Sequence, residues 1–326
     1  MASKKDTIPS KKKDKYRIRN WKQYNQSLVN RGSITFWFDE EAIKKWHDVE
    51  KTGKSGKPGI YSDFAIRCGL SIKAIFRVAL RALQGMLCSL ITALKLPIKC
   101  PHYSVFSRRA EGLKIPMRRF LKPSEHLNIV FDSTGLKVYG EGEWKVRKHG
   151  YSKRRTWRKA HIGMCVDTGQ IVVNAISSND VSDDEAMVAM MMTLEGVKIG
   201  NVLGDGAYDT IDCRDVIHDL GGQPIIPPDK NAKEQKRARI PALEERDKAI
   251  RRIQELGEEG RVKWKQEVGY HKRSLIETHM FRHKIILGDR LLARKKTTQT
   301  TELSIKCDVL NRMTELGMPN SYKVVV

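Results

Sequence analysis

Three acids and one basic stripe carry the chemistry available to this sequence. Asp132 closes an apolar run in L-N-I-V-F-D-S-T-G, and Asp205 stands between glycines in L-G-D-G-A-Y-D. Glu277 lies in the pattern Y-x2-R-x3-E-x6-K with Tyr270, Arg273 and Lys284. Carboxylates drawn together repel one another unless a cation neutralises them. Oxygen-only donors suit Mg2+ or Mn2+, and two such ions can activate the attacking oxygen and stabilise the leaving oxygen of a phosphodiester. The Tyr270 pattern fits one helix, because at about 100° per residue its four side chains fall within an arc of about 60°. A stripe with an acid, two bases and a phenol suits a metal ion held beside a phosphate backbone. It is equally the pattern of a solvated face with an Arg273–Glu277 i,i+4 pair. An Asp past a strand end is likewise often a turn or cap residue. The glycines beside Asp205 favour the other reading, since they permit close backbone approach to a ligand.

These acids need a sheet edge to bring them together, and the sequence predicts one. Residues 127–131 read as a strand leading into Asp132. Residues 159–166 and 170–177 read as a hairpin turning at Asp167-Thr168-Gly169. A methionine-rich helix is predicted over 180–194. A brief strand over 201–203 then opens onto Asp205. A helix over 210–220 ends at Gly221-Gly222, and a last strand over 223–226 is stopped by Pro227-Pro228. The order β-β-β-α-β-α-β predicts a mixed α/β layer that begins as an antiparallel meander. Residues 229–269 are rich in Lys, Arg and Glu and read as a helical insertion ahead of the Glu277 helix.

Upstream, residues 36–122 are helical in pattern. Asp39 can cap a helix reaching Val49, and a Gly/Lys/Pro linker follows over 52–59. Ser62 opens an apolar-periodic stretch over 64–96, split near Gly69 or Gly85 and ended by Pro97 and Pro101. Residues 103–113 read as a short helix bearing Arg108 and Arg109. This series fits a helix-turn-helix unit or a plain helical bundle, and the pattern leaves both open. Residues 1–35 form a basic arm: the first 31 residues carry ten Lys or Arg against Asp6 and Asp14, which predicts a disordered, solvated segment compatible with DNA contact. A second basic stretch, residues 144–159, holds eight Lys or Arg, two Trp, one Tyr and no acid. Basic side chains bind phosphates while aromatic faces stack on unpaired bases. Arg154, Arg155 and Trp157 are therefore candidate DNA contacts, with Trp157 a candidate for stacking on a flipped base. A solvated hairpin tip is the plainer reading.

The overall charge agrees with an anionic partner. Lys and Arg number 61 against 38 acids, a formal charge of +23, which favours a polyanion. The apolar segment 74–96 is interrupted by Arg77 and Arg81, and its longest uncharged part, 82–94, is too short to span a bilayer. No membrane partner is expected. The N-terminus lacks the apolar core of a signal peptide. The six cysteines are scattered without a C-x-x-C pair, so neither a disulfide framework nor a structural zinc is expected, and a reducing cytosol is. His279 and His283 have i,i+4 spacing but sit in H-M-F-R-H, without the metalloprotease Glu, and point away from Glu277.

F-D-S-T-G-L-K-V-Y-G, L-G-D-G-A-Y-D and Y-x2-R-x3-E-x6-K, in that order, resemble the DDE transposases of bacterial insertion sequences, insertion-sequence-five type. P-H-Y-S-V-F-S-R-R ahead of them and R-L-L-A-R at 290–294 resemble the same branch. The resemblance covers residues 36–317. It implies an RNase H-like catalytic core over 123–326, a mixed sheet flanked by helices, behind an all-α N-terminal DNA-binding region. It implies that Asp132, Asp205 and Glu277 bind two Mg2+ ions, for which Mn2+ substitutes, and that Tyr270, Arg273 and Lys284 bind the element's terminal DNA. The implied reaction is hydrolysis at the element's ends to free a 3′-hydroxyl, followed by attack of that hydroxyl on target DNA. The implied partners are inverted-repeat DNA, target DNA and at least a second copy of the chain, in a bacterial, nucleoid-associated cytoplasmic setting. A DNA-binding regulator without catalysis and a nuclease of the same fold without strand transfer are the rival readings. The helical insertion differs from the β-rich insertion of some relatives, so no role is transferred to it.

Overall fold

The computed structural model describes residues 15–34, 40–47, 60–117, 126–139, 156–235 and 240–324. Its main sheet has the order β4-β3-β2-β5-β6. Strands β2 (Leu127–Tyr139), β3 (Thr156–Cys165) and β4 (Ile171–Ser177) form the predicted antiparallel meander, and β5 (Ile199–Leu203) and β6 (Gln223–Ile225) run parallel to β2. The hairpin turns at Gly169, whose φ of 68° lies in the left-handed region that glycine adopts without strain. Helix α6 (Asp183–Met192) starts at a Ser182–Glu185 capping box, and α7 (Ile211–Asp219) starts at Thr210.

Alternation along β2 sorts its side chains between two cores. Leu127, Ile129 and Phe131 pack with the methionines of α6 and with Cys213 and Ile217 of α7. Val130 and Leu136 face the other way, onto α10 (Ser274–Arg282) and α11 (Lys296–Glu315) through Ile276, Met280, Leu303 and Cys307. Ile129, Val130, Phe131 and Leu136 are fully buried. Each contributes about 1.5–3 kcal/mol by burial, enough to hold the register around a charged Asp132 in mid-strand. Gly163 of β3 is required by this packing: an added Cβ would lie 2.5 Å from Val173 and 2.8 Å from Phe131.

Two features of β2 differ from the sequence reading. The strand does not stop at Asp132 but runs on to Tyr139, because Ser133 to Lys137 find partners along β3. The segment after α10 extends this anchorage, since Leu291 N–H donates to Lys137 O at 2.7 Å and Lys137 N–H to Asp289 O at 2.9 Å.

The N-terminal helices are α2 (Glu40–Lys44), α3 (Asp63–Phe76), α4 (Leu80–Ala93) and α5 (Tyr103–Arg109). Ser62 caps α3 as expected, accepting from Ala65 N–H at 3.1 Å. The break in the apolar stretch falls at neither Gly69 nor Gly85. Arg77 adopts φ 52°, and the chain bends by 110° between α3 and α4. Gly69 instead admits Phe106, whose ring would be 2.3 Å from an added Cβ. These helices share one core with Leu287 and with Ile305, Val309 and Leu310 of α11. Among the described residues no single helix is long and apolar enough to cross a membrane.

Part of the expected disordered arm is ordered. Residues 15–18 form β1 (Lys15–Ile18), antiparallel to β7 (Ser321–Val324), and α1 (Trp21–Asn30) follows. Asn20 fastens the junction: its Oδ1 accepts from Asn320 N–H at 2.7 Å and its Nδ2 donates to Met318 O at 3.0 Å. The partner strand lies at the far end of the sequence, where local composition does not register it. Residues 1–14 of the arm lie outside the described residues.

Candidate active site

The parallel register of β2 and β5 brings two of the acids together. Val130 pairs with Leu203, so Asp132 and Asp205 both stand two positions beyond the same rung. Asp132 lies on the α10 face of the sheet, with its side chain 22% exposed. Its Oδ1 accepts from Ser133 N–H at 3.0 Å. Burial pushes the Asp132 carboxyl up, the Ser133 amide and the Arg273 guanidinium pull it down, and the charges of Asp205 and Glu277 push it up again. Asp205 and Glu277 are therefore both within electrostatic reach of Asp132.

Asp205 caps a 3-10 turn, Gly206–Tyr208, and its Oδ1 accepts from Ala207 N–H at 2.9 Å. The turn folds Tyr208 back onto Gly204, where an added Cβ would be 2.7 Å from the ring. Tyr208 is buried, and burial together with the charges of Asp183, Asp132 and Asp205 holds its phenol protonated, far above the ordinary tyrosine range.

The third acid arrives on a composite helix. Tyr270–Arg273 is a 3-10 turn, α10 carries Glu277, and His283–Leu287 is a π turn bearing Lys284. The single α-helix of the sequence reading is thus divided, and its uniform angular advance holds only within α10. Ile276 and Met280 seat α10 on the sheet. Arg273 then reaches two acids: Nη2 donates to Glu277 Oε1 at 2.6 Å, and Nη1 is 3.9 Å from Asp132 Oδ2. The i,i+4 pair is present in this state. Burial raises the Tyr270 phenol, Arg273 lowers it, and the three acids raise it further, so it remains an O–H donor.

The donor set is chemically suited to a hard cation: three carboxylates, all oxygen, from three elements, with one guanidinium already between two of them. Among the described residues no three His, Cys, Asp or Glu side chains are close enough to share one ion as arranged. Arg273 occupies one oxygen of Glu277 in this arrangement.

The other candidate residues lie apart. Trp157 pairs with Lys137, five positions from Asp132 in an unbroken register, and therefore faces the opposite side of the sheet. Its ring lies against Gly135, with Lys137 Nζ 5.6 Å from the ring centroid. Arg154 and Arg155 lie outside the described residues. Arg108 is exposed. Arg109 is turned inward instead: it donates to Tyr61 O at 2.8 Å and pairs with Asp63 at the start of α3. His279 and His283 are 3% and 1% exposed. Their Nε2 atoms have no hydrogen-bond partner among the described residues.

Two polar clusters were not singled out by sequence. His161 Nε2 lies 2.7 Å from Ser177 Oγ, while Asp183 Oδ1 is 3.7 Å from His161 Nδ1 and 3.3 Å from Lys159 Nζ. Asp209, the second acid of L-G-D-G-A-Y-D, is buried against Arg214 and Arg246. The available signal was its place in that motif, four residues after Asp205.

Residues 123–312 match a family model described as a transposase DDE domain, and residues 29–141 match a second model of the same description. A cryo-EM structure titled as the piggyBac transposase synaptic complex with hairpin DNA is similar at 12% identity and a TM-score of 0.28. That likeness covers 66% of this chain and 54% of the other, so the chain spans about half the length of that transposase.

Proposed function

Since this chain belongs to the transposase DDE-domain family, matched over residues 123–312, we propose that it cuts DNA at the ends of an insertion sequence and joins those ends to target DNA. The observation that carries this reading is that the guanidinium of Arg273 lies between Asp132 and Glu277, while the parallel register of β2 and β5 brings Asp205 beside Asp132. The insertion-sequence-five type, its Y-R-E-K signature and a bacterial, nucleoid-associated setting belong to the same proposal.

Asp132, Asp205 and Glu277 would hold the divalent cations, two Mg2+ with Mn2+ as a substitute. When bound, these ions supply the positive charge that activates an attacking oxygen and stabilises a leaving oxygen at a phosphodiester. The remaining work falls to the chain's own side chains. Burial on the α10 face excludes water from one side of Asp132. Arg273, once released from Glu277, presents paired N–H donors to a phosphate, a charge-assisted and geometrically specific contact. The Tyr270 phenol donates a hydrogen bond to the same backbone, and Lys284 adds a point charge. Hydrolysis leaves a 3′-hydroxyl, whose attack on target DNA exchanges one phosphodiester for another and so is close to isoenergetic.

The 110° bend between α3 and α4, across three residues, has the dimensions of a helix-turn-helix, and exposed Arg108 is available to phosphate there. We assign end binding to this region and to Trp157, with two copies of the chain holding the two ends. The Arg273–Glu277 pair is the one observation that favours a DNA-binding regulator without catalysis.

Short terminal inverted repeats in the DNA flanking the gene supply the substrate for the test. Mg2+-dependent nicking and joining of such ends is expected from the parent protein. Asp132→Ala, Asp205→Ala and Glu277→Ala should each abolish cleavage while retaining end binding. Full cleavage by any one variant removes that residue from the site, cut ends without joined products favour a nuclease, and binding without nicking favours the regulator.

A further inference from the structure

Asp209 ends the motif that begins at Asp205, yet the reaction above leaves it unused. Its side chain is 2% exposed and both its oxygens are engaged. Oδ1 accepts from Arg214 Nε at 2.9 Å and Nη2 at 2.8 Å. Oδ2 accepts from Arg246 Nε at 3.2 Å and from the Asp229 amide at 2.8 Å. Arg214, itself 1% exposed, also donates to Ile226 O just past β6. Burying a carboxylate with two guanidiniums brings a desolvation penalty that a packed apolar cluster would avoid. Its geometry, rather than its stability, is therefore the informative part.

The network joins the candidate site to the charged insertion. Arg214 is on α7, Asp229 opens the insertion, and Arg246 lies on its first helix, α8 (Glu244–Glu255). Arg261 of α9 (Gly260–Glu267) adds a bond to Asp229 O at 3.1 Å. On its other side, Asp209 N–H donates to Gly206 O at 3.2 Å and closes the 3-10 turn. The Ala207 amide within that turn holds Asp205 Oδ1. Only three residues separate the fixed carboxylate of Asp209 from that of Asp205.

We propose that Asp209 is a positioning residue for Asp205, and that the insertion buttresses the site through Arg246. This rests on the reading of Asp205 as a metal-binding acid. Asp209 has no free oxygen for a ligand of its own, so it acts through the turn. The insertion returns the chain at Gly269 directly into Tyr270 and Arg273, so one helical pair borders both the Asp205 loop and the entry to α10.

The test uses Arg246, which sits at the rim with 20% of its side chain exposed. Arg246→Met should weaken Mn2+ binding, followed by electron paramagnetic resonance without DNA, by about 10–100-fold, the usual effect of losing an outer-shell partner. It should also speed hydrogen exchange in the peptide 204–209 at least tenfold, with end binding unchanged. Arg246→Lys, which keeps the charge, should recover most of both. Parent-like Mn2+ affinity and exchange in Arg246→Met would overturn the inference while Asp205 kept its role. Parent-like Mn2+ binding by Asp205→Ala would overturn the metal reading instead, and the exchange of 204–209 would then decide alone whether Arg246 holds the turn.

Discussion

Lowering the pH from 7.5 to 5 should destabilise this protein by about 4 kcal/mol through two histidines. His279, on the helix that carries Glu277, and His283, at the start of the π turn that follows it, are almost wholly buried, and both are pushed down to about 3 from 6.5. For His279 the causes are burial, then the charges of Arg282 and His283; for His283 they are burial, then Lys306 and Lys284. The sign follows from proton counting. Below pH 6.5 the unfolded chain binds protons that the folded chain refuses, so stability is full above that value and falls as pH drops towards 3. Each histidine costs about 1.4 kcal/mol per pH unit once well below 6.5, hence about 2 kcal/mol by pH 5, and the pair costs about twice that. His161, also lowered by burial, acts in the same direction. Acids pulled down by lysine or arginine, such as Asp289 and Glu267, act at lower pH and do not obscure this window. Urea unfolding at fixed ionic strength between pH 7.5 and 5 reads the slope directly. His283→Met, which cannot titrate, should remove about half of it. A parent protein whose stability stays flat across this range refutes the burial argument.

Two other perturbations test the scaffold and its division of labour. Asn311 is fully buried and brackets Ile171 of β4, donating to its carbonyl and accepting from its amide at 2.7 Å each. Asn311→Leu leaves two buried backbone groups unpaired and should cost about 2–6 kcal/mol, seen as a lower urea midpoint and faster exchange of the Ile171 amide. Trp157→Ala should weaken end binding by the value of one stacked base, about 1–3 kcal/mol, in a direct binding titration. It should leave the single-turnover cleavage rate at saturation unchanged, because the ring faces away from Asp132, and a tenfold slower bound complex contradicts that placement.

Features governed by neighbours in sequence were the legible ones. The helix start at Ser62, the turn at Gly169 and the order of strands and helices from β2 to β6 are set by side chains within a few residues. The acids were legible because each has a distinct local setting. What escaped depends on distant partners. β2 continues past Asp132 only because β3 and the segment at Asp289 receive it. Arg109 reads as a basic surface residue until Asp63, at the start of α3, and Tyr61, just ahead of it, claim it. The break at Arg77, with φ 52°, has no glycine or proline to announce it, and the helices on either side of it share one core with Phe106. Likewise, no pattern of apolar spacing separates the 3-10, α and π turns from Tyr270 to Leu287: α10 seats Ile276 and Met280 on the sheet, the 3-10 turn buries no side chain, and Leu287 of the π turn joins the core of the N-terminal helices.

The pairing of β1 with β7 sets an order of events during synthesis. Asn20 and Asn320 are 300 positions apart, and at roughly 5–20 residues per second a ribosome takes about 15 s to a minute to cover that distance. Until then β1 has no partner, and α1 cannot place Ser27 Oγ against Leu316 O, a bond of 2.8 Å in the finished fold. Residues 15–30 therefore leave the ribosome about 300 positions ahead of the strand that receives them, and they dock only once it has emerged.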